Sequence, residues 1–263
     1  MYLNGIPSDR LYDPSFEKSN CGVGVLMDLT GTKSHELIED GFTLLENLDH
    51  RGARGAEEKT GDGAGMLIQK PHGYFSDVVD GLGDFDDYAV GQLFLPKDAE
   101  QQSELRTLIR EAVDEEGFEL ITWRTVPTDN SDLGKTALEY EPDVEQIFVR
   151  PKAGTEAARD PERMDSRLYV LRRVIENRVV EELPEAAEVF YICSLDRRKI
   201  VYKGLLTNAQ LRKYYPGLAD ERVTSSLAFV HSRFSTNTLG AWRLAHPYRS
   251  IIHNGEINTL RGN

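Results

Sequence analysis

Asn20-Cys21-Gly22-Val23-Gly24-Val25-Leu26-Met27 decides how this chain is read. Small and apolar residues alternate from Gly22 onward, the pattern of a β-strand. A thiol stands at the head of that strand. Residues 1–20 carry Pro7, Pro14 and scattered charges and predict an irregular leader, without the apolar middle region of a signal peptide. The strand therefore defines a start, and Cys21 is the residue that a cut after Asn20 would expose.

A thiol is a good nucleophile only as thiolate, and a free cysteine has a pKa of about 8.5. A cysteine at a chain terminus carries its own base, an α-amine with a pKa of about 7.7–8.0. Inside an intact chain that nitrogen is an amide and cannot accept the proton. Catalysis by Cys21 thus requires cleavage between Asn20 and Cys21. The plainer reading is an ordinary buried thiol, because cysteine is among the most buried residue types.

The chain has 263 residues, 40% hydrophobic, enough for one large domain or two small ones. Its formal net charge of −13 argues against nucleic acid or an anionic membrane as partner. The cysteines are Cys21 and Cys193, and Cys193 sits in the apolar run Val189-Phe190-Tyr191-Ile192-Cys193, which places it in the core. Two unrelated thiols fit a reducing, cytoplasmic setting better than a disulfide scaffold. No apolar run approaches the roughly 18 residues of a membrane span.

The spacing predicts helices over 34–49, 98–116, 166–183 and 208–215. It predicts strands over 21–28, 66–69, 90–95, 118–126, 144–149, 226–231 and 250–253, and a hairpin from 188–193 with 199–202. Residues 81–87, 127–135 and 151–161 read as loops or linkers. Strands interspersed with long helices indicate an α+β layering, with sheets packed together and helices outside.

Four further patches carry chemistry. His50-Arg51-Gly52-Ala53 closes the first helix. Gly61-Asp62-Gly63-Ala64-Gly65 fails the dinucleotide and phosphate-loop patterns, so its glycines are read as letting backbone approach a neighbouring loop. In His231-Ser232-Arg233-Phe234-Ser235-Thr236, the Arg233 fork suits a carboxylate, and the alternative is a surface ion pair. In His253-Asn254-Gly255, the Asn254 amide and the Gly255 N–H form a candidate oxyanion hole, and the alternative is an Asn-Gly turn. The six histidines show no metal-ligand spacing, and His35 and His72 read as surface residues.

Taken in order, these patches with Ala245-His246-Pro247-Tyr248-Arg249 and the run from His253 to Asn263 resemble the glutaminase domain of the glutamate synthase large subunit. That domain is a class II glutamine amidotransferase of the N-terminal-nucleophile hydrolase fold. The resemblance covers residues 21–263. It implies a four-layer αββα sandwich of two antiparallel sheets, with residues 1–20 as propeptide. It implies Cys21 as nucleophile, and Asn254 and Gly255 as oxyanion hole. Arg51 and Gly52 would lie beside the nucleophile, Arg233 and Thr236 would hold the α-carboxylate of L-glutamine, and His246 would line the pocket.

The resemblance also sets expectations for what the chain lacks. The family aspartate that binds the substrate ammonium follows the His-Asn-Gly patch and is not in this sequence, so the domain is expected to be partial at its C-terminal side. Neither metal nor cofactor is expected here; FMN and an iron–sulfur cluster would belong to a synthase part, on this chain's continuation, a separate chain or with a small subunit. Two other readings stand beside this one. The first is a papain-like cysteine hydrolase, which lacks its local signature and needs its cysteine at a helix N-terminus. The second is a truncated, non-catalytic paralogue acting as a binding module.

Overall fold

The computed structural model describes residues 2–3, 6–7, 22–52, 57–233 and 241–250. A short antiparallel ladder of β1 (Tyr2–Leu3) and β2 (Ile6–Pro7) precedes the body of the fold. Two four-stranded antiparallel sheets make up that body. The first has the order β3-β10-β4-β9, from β3 (Gly22–Met27), β10 (Leu227–Ser232), β4 (Ala64–Gln69) and β9 (Lys199–Gly204). The second has the order β6-β7-β5-β8, from β6 (Phe118–Thr125), β7 (Asp143–Pro151), β5 (Ala89–Leu95) and β8 (Tyr191–Asp196).

Helix α1 (Glu36–Asn47) covers the first sheet and buries Ile38, Gly41, Phe42 and Leu45 on one face. Gly41 permits the close approach, since a Cβ there would lie 3.0 Å from the Ala228 Cβ and 3.1 Å from the Met66 Cε. Helices α3 (Ala99–Glu115) and α5 (Pro161–Glu182) cover the second sheet. Leu105, Leu108, Ile109, Ala112 and Val113 of α3 share one apolar cluster with Leu168, Leu171, Ile175 and Val179 of α5. A second cluster runs between the sheets and includes Phe94, Phe148, Val201 and Leu67. The layers are thus helix, sheet, sheet, helix, as expected for an N-terminal-nucleophile hydrolase fold.

Several expectations are corrected. The strands 188–193 and 199–202 do not form a hairpin. β8 pairs with β5 and β9 pairs with β4, so two consecutive strands enter facing sheets. The connection Arg197-Arg198 is anchored at the crossing: Arg197 is buried against Asp86 and Asp165, and the Arg198 carbonyl accepts from the Lys70 N–H at 2.6 Å. The chain between 151 and 161 is not all linker. Asp160 caps α5 by accepting from the Arg163 N–H at 2.8 Å, Pro161 opens the helix, and α5 starts five residues before the predicted Ser166. The short helices α2 (His72–Val78) and α4 (Lys135–Glu139) also form where no helix is expected.

His35 and His72 are half-buried rather than simply on the surface. The His35 Nδ1 lies 2.9 Å from the Val223 carbonyl, and the His72 Nδ1 lies 3.2 Å from the Tyr88 hydroxyl. Cys193 is core, as expected, and burial pushes its thiol up to about 12. Among the described residues, no helix is long and apolar enough to cross a membrane. The strand expected over 250–253 lies outside the described residues apart from Ser250.

Candidate active site

The alternation that makes Gly22–Met27 a strand also fixes what meets its first residue. β10 lies antiparallel between β3 and β4, with Ser232 opposite both Gly22 and Ala64. Ala64 in turn faces Gly204 on β9. Gly22, Ser232, Ala64 and Gly204 therefore form one row across one end of the sheet. The row behind it is Val23, His231, Gly65 and Lys203. The chemical patches of the sequence gather around these two rows.

Arg51 and Gly52 arrive from the end of α1 through a 3-10 turn over Asp49–Arg51. The Arg51 N–H bonds the Leu48 carbonyl at 2.8 Å, and the Gly52 N–H bonds the Asp49 carbonyl at 3.1 Å. Asn208 steadies the helix end by donating to the Leu45 carbonyl at 2.8 Å. The turn packs directly on the sheet. A Cβ on Gly22 would lie 2.9 Å from the Arg51 Cβ, and one on Gly52 would lie 2.6 Å from the Ser232 Oγ. Glycine at both positions is what allows the contact.

Arg233 continues from β10, and its N–H bonds the Gly63 carbonyl at 2.8 Å. Its guanidinium donates to the Asp62 carbonyl at 3.1 Å, and the residue is 8% exposed. Arg233 is therefore a held, buried arginine and not a surface ion pair. The Gly61–Gly65 loop acts as a close-approach loop, as expected. A Cβ on Gly61 would collide with the Leu206 carbonyl, and Gly63 has φ +134 with Ala245 against it.

His246 closes the same end from above. Its ring stacks on His231, with centroids 4.3 Å apart, and meets the Tyr248 ring edge-on at 4.3 Å. Both histidines are buried. The His246 carbonyl would be only 2.4 Å from a Cβ on Gly65. Sequence reasoning missed a further member, Lys203, which is fully buried and donates to the carbonyls of Arg243 and Ala245. A lysine at the end of the apolar run Ile200-Val201-Tyr202 gives no sign in sequence that it points inward.

Of the sequence-predicted site residues, the structure brings Arg51, Gly52, Arg233 and His246 to one end of the first sheet. Cys21, Thr236, Asn254 and Gly255 lie outside the described residues. Among the described residues, no group of three or more His, Cys, Asp or Glu side chains is placed to hold a metal ion.

Two facing antiparallel sheets between helices, with a glycine-lined strand end surrounded by two arginines and a histidine, are the arrangement of an N-terminal-nucleophile hydrolase fold. Residues 21–263 match the class-II glutamine amidotransferases, and the chain belongs to that enzyme family. It is 39% identical over 266 residues to the NADPH glutamate synthase large chain of Bacillus subtilis (strain 168), covering 100% of this chain and 17% of that protein. It is 41% identical over 262 residues to the NADH glutamate synthase of Schizosaccharomyces pombe, covering 97% and 12%. To the chloroplastic ferredoxin-dependent glutamate synthase of Spinacia oleracea it is 39% identical over 258 residues, covering 97% and 16%. The chain thus spans less than a fifth of these relatives' length. The papain-like alternative falls with the family match, and also with β3, a strand beginning at Gly22 where that reading needs a helix.

Proposed function

We propose that this domain hydrolyses the side-chain amide of L-glutamine with Cys21 as nucleophile. The observation that supports it best is the meeting of Arg51 and β10 at Gly22, because Gly22 is covalently next to Cys21. Chain connectivity keeps the two Cα atoms about 3.8 Å apart. In this reading Cys21 acts at the strand end that Arg51, Gly52 and Arg233 surround.

In this reading residues 1–20 are removed, and the freed α-amine of Cys21 accepts the thiol proton. The thiolate sulfur bonds to the amide carbon, and the carbonyl oxygen takes up the negative charge. Asn254 and the Gly255 N–H stabilise that charge. The C–N bond then breaks, the nitrogen collects the proton, and ammonia leaves a thioester on Cys21. Water adds to the thioester, glutamate departs, and the thiol is restored. Arg233, with Thr236, holds the α-carboxylate, which does not change during the reaction. His246 forms part of the pocket wall.

The relatives' names suggest where the ammonia goes. We propose that it passes to a synthase part that aminates 2-oxoglutarate to glutamate, with FMN and an iron–sulfur cluster residing there and not in this domain. That part would be a continuation of this chain or a separate chain, and a small subunit could join it. The setting is cytoplasmic. Turnover of glutamine by the processed protein and by Cys21→Ala tests the reading. The wild type is expected to release ammonia and glutamate in equal amounts, and the variant neither. Ammonia release by Cys21→Ala at the wild-type rate overturns it. Glutamine binding without turnover in both proteins would mark a binding module instead.

A further inference from the structure

Lys203 is a buried cation without a carboxylate partner among the described residues. It is 0% exposed, and its Nζ donates to the Ala245 carbonyl at 2.7 Å and the Arg243 carbonyl at 3.0 Å. Two aromatic rings complete the cage, Tyr191 at 4.3 Å and Tyr248 at 4.8 Å from the ammonium. A lysine is almost never fully buried unless it is paired, because removing its charge from water is costly. Burial holds this one down to about 7; the neighbouring Cys193 thiol opposes that, and the cations Arg249 and Arg233 add to it. A methionine of similar length would fill the space without that cost. A lysine here, in place of such an apolar side chain, points to a task for its donors.

The geometry shows what they act on. Arg243 lies within the short turn Trp242–Leu244 and Ala245 caps it just before His246, so Lys203 ties the backbone on the immediate N-terminal side of that residue. Tyr248, which forms one wall of the cage, also meets the His246 ring edge-on. On the sheet side, Lys203 faces Gly65 in register, and Gly65 lies against the His246 carbonyl. The Lys203 carbonyl is itself fixed by the Tyr215 hydroxyl at 2.8 Å. The lysine is anchored at its backbone by one element and reaches with its ammonium into another.

We propose that Lys203 is a positioning residue for glutamine binding, holding the 243–248 segment so that His246 stays stacked on His231 as a wall of the substrate pocket. The inference rests on the proposed function above. Lys203 touches no reacting atom in it. Its loss would loosen a contact made equally before and during the reaction, so the effect falls on KM and not on kcat.

The test compares Lys203→Met with wild type in the full chain and adds glutamine binding by calorimetry in a Cys21→Ala background, which removes turnover. The expected result is a KM at least roughly tenfold higher, the scale of one charge-assisted hydrogen bond, with kcat within about threefold. The Kd of Cys21→Ala/Lys203→Met should rise by the same factor over Cys21→Ala. A merely structural lysine would lower kcat with the folded fraction and leave KM and Kd unchanged, which overturns the proposal. If Lys203→Met does not fold, Tyr248→Leu removes one cage wall and the ring edge on His246. It should raise Kd at least about threefold, and an unchanged Kd overturns the proposal equally. Equal Kd values sink the Lys203 inference alone, whereas no glutamine binding by Cys21→Ala sinks the proposed function with it.

Discussion

His231 and His246 lie face to face, with ring centroids 4.3 Å apart and planes 15° from parallel. One ring belongs to the central strand β10 and the other to the segment that follows it. The stack is one of the contacts that hold that segment to the sheet, beside the Lys203 bonds to Arg243 and Ala245. Beneath it lies Gly65, whose α-carbon has no room for a methyl group.

Gly65→Ala should therefore disturb the site. The added Cβ would sit 2.4 Å from the His246 carbonyl and 2.7 Å from the Tyr202 carbonyl, and backbone atoms yield poorly. Overpacking of this kind costs about 1–3 kcal/mol. The expected outcome is a lower thermal midpoint together with a raised KM for glutamine. Gly73→Ala is the control, because nothing lies within 4 Å of its added Cβ and it sits in α2. It should stabilise by roughly 0.5–1 kcal/mol and leave KM alone. Thermal melts and glutaminase kinetics on both variants check the pair.

Arg233→Lys keeps the charge and loses the planar fork. The proposed partner is a carboxylate that is the same in substrate and transition state. Loss of about 1.5–3 kcal/mol of charge-assisted bonding predicts a KM increase of roughly 10–100-fold with kcat little changed. Steady-state kinetics decide it. A fall in kcat at constant KM would mean that Arg233 serves the reacting amide rather than the carboxylate end.

Glu57 predicts an acid dependence of stability. It accepts from the Thr136 N–H at 2.7 Å and the Lys135 N–H at 2.9 Å, capping α4. The Thr136 hydroxyl and these backbone donors hold its carboxyl down to about 2, from an ordinary value of 4.5. A carboxylate stabilised in the folded state contributes its stability above about pH 4.5 and loses it as pH falls toward 2. Glu57→Gln should therefore lower the melting temperature at pH 6 and match wild type more closely near pH 2.5. An equal gap at both pH values would contradict this assignment.

The long elements were legible because each declares one apolar face. The Leu105, Leu108, Ile109, Ala112, Val113 set of α3 appears in the core as its spacing demands, and Gly117 ends the helix with φ +81. One failure came from tertiary contacts that no local pattern encodes, another from a local signal that was overlooked. β8 and β9 alternate like a hairpin, yet Arg197 ties their connection to Asp86 and Asp165 and sends them into different sheets. Asp160-Pro161 was a helix-start signal hidden in a stretch that looks like linker. Arg51, Gly52, Arg233 and His246, which the fold brings to one sheet end, sit in dense polar motifs that sequence reading singles out. Lys203 gives no such signal, because the two carbonyls it bonds lie forty or more residues away.

The most direct test of the account is to treat the purified protein with a glutamine-shaped diazoketone and map the adduct by mass spectrometry of the intact protein and its peptides. The predicted result is one adduct, on a Cys21 that is the first residue of the chain, with free glutamine protecting it. Cys193, buried and with its thiol pushed up to about 12, should remain unlabelled. An adduct on Cys193, or full glutaminase activity in protein that still begins at Met1, would contradict the N-terminal nucleophile.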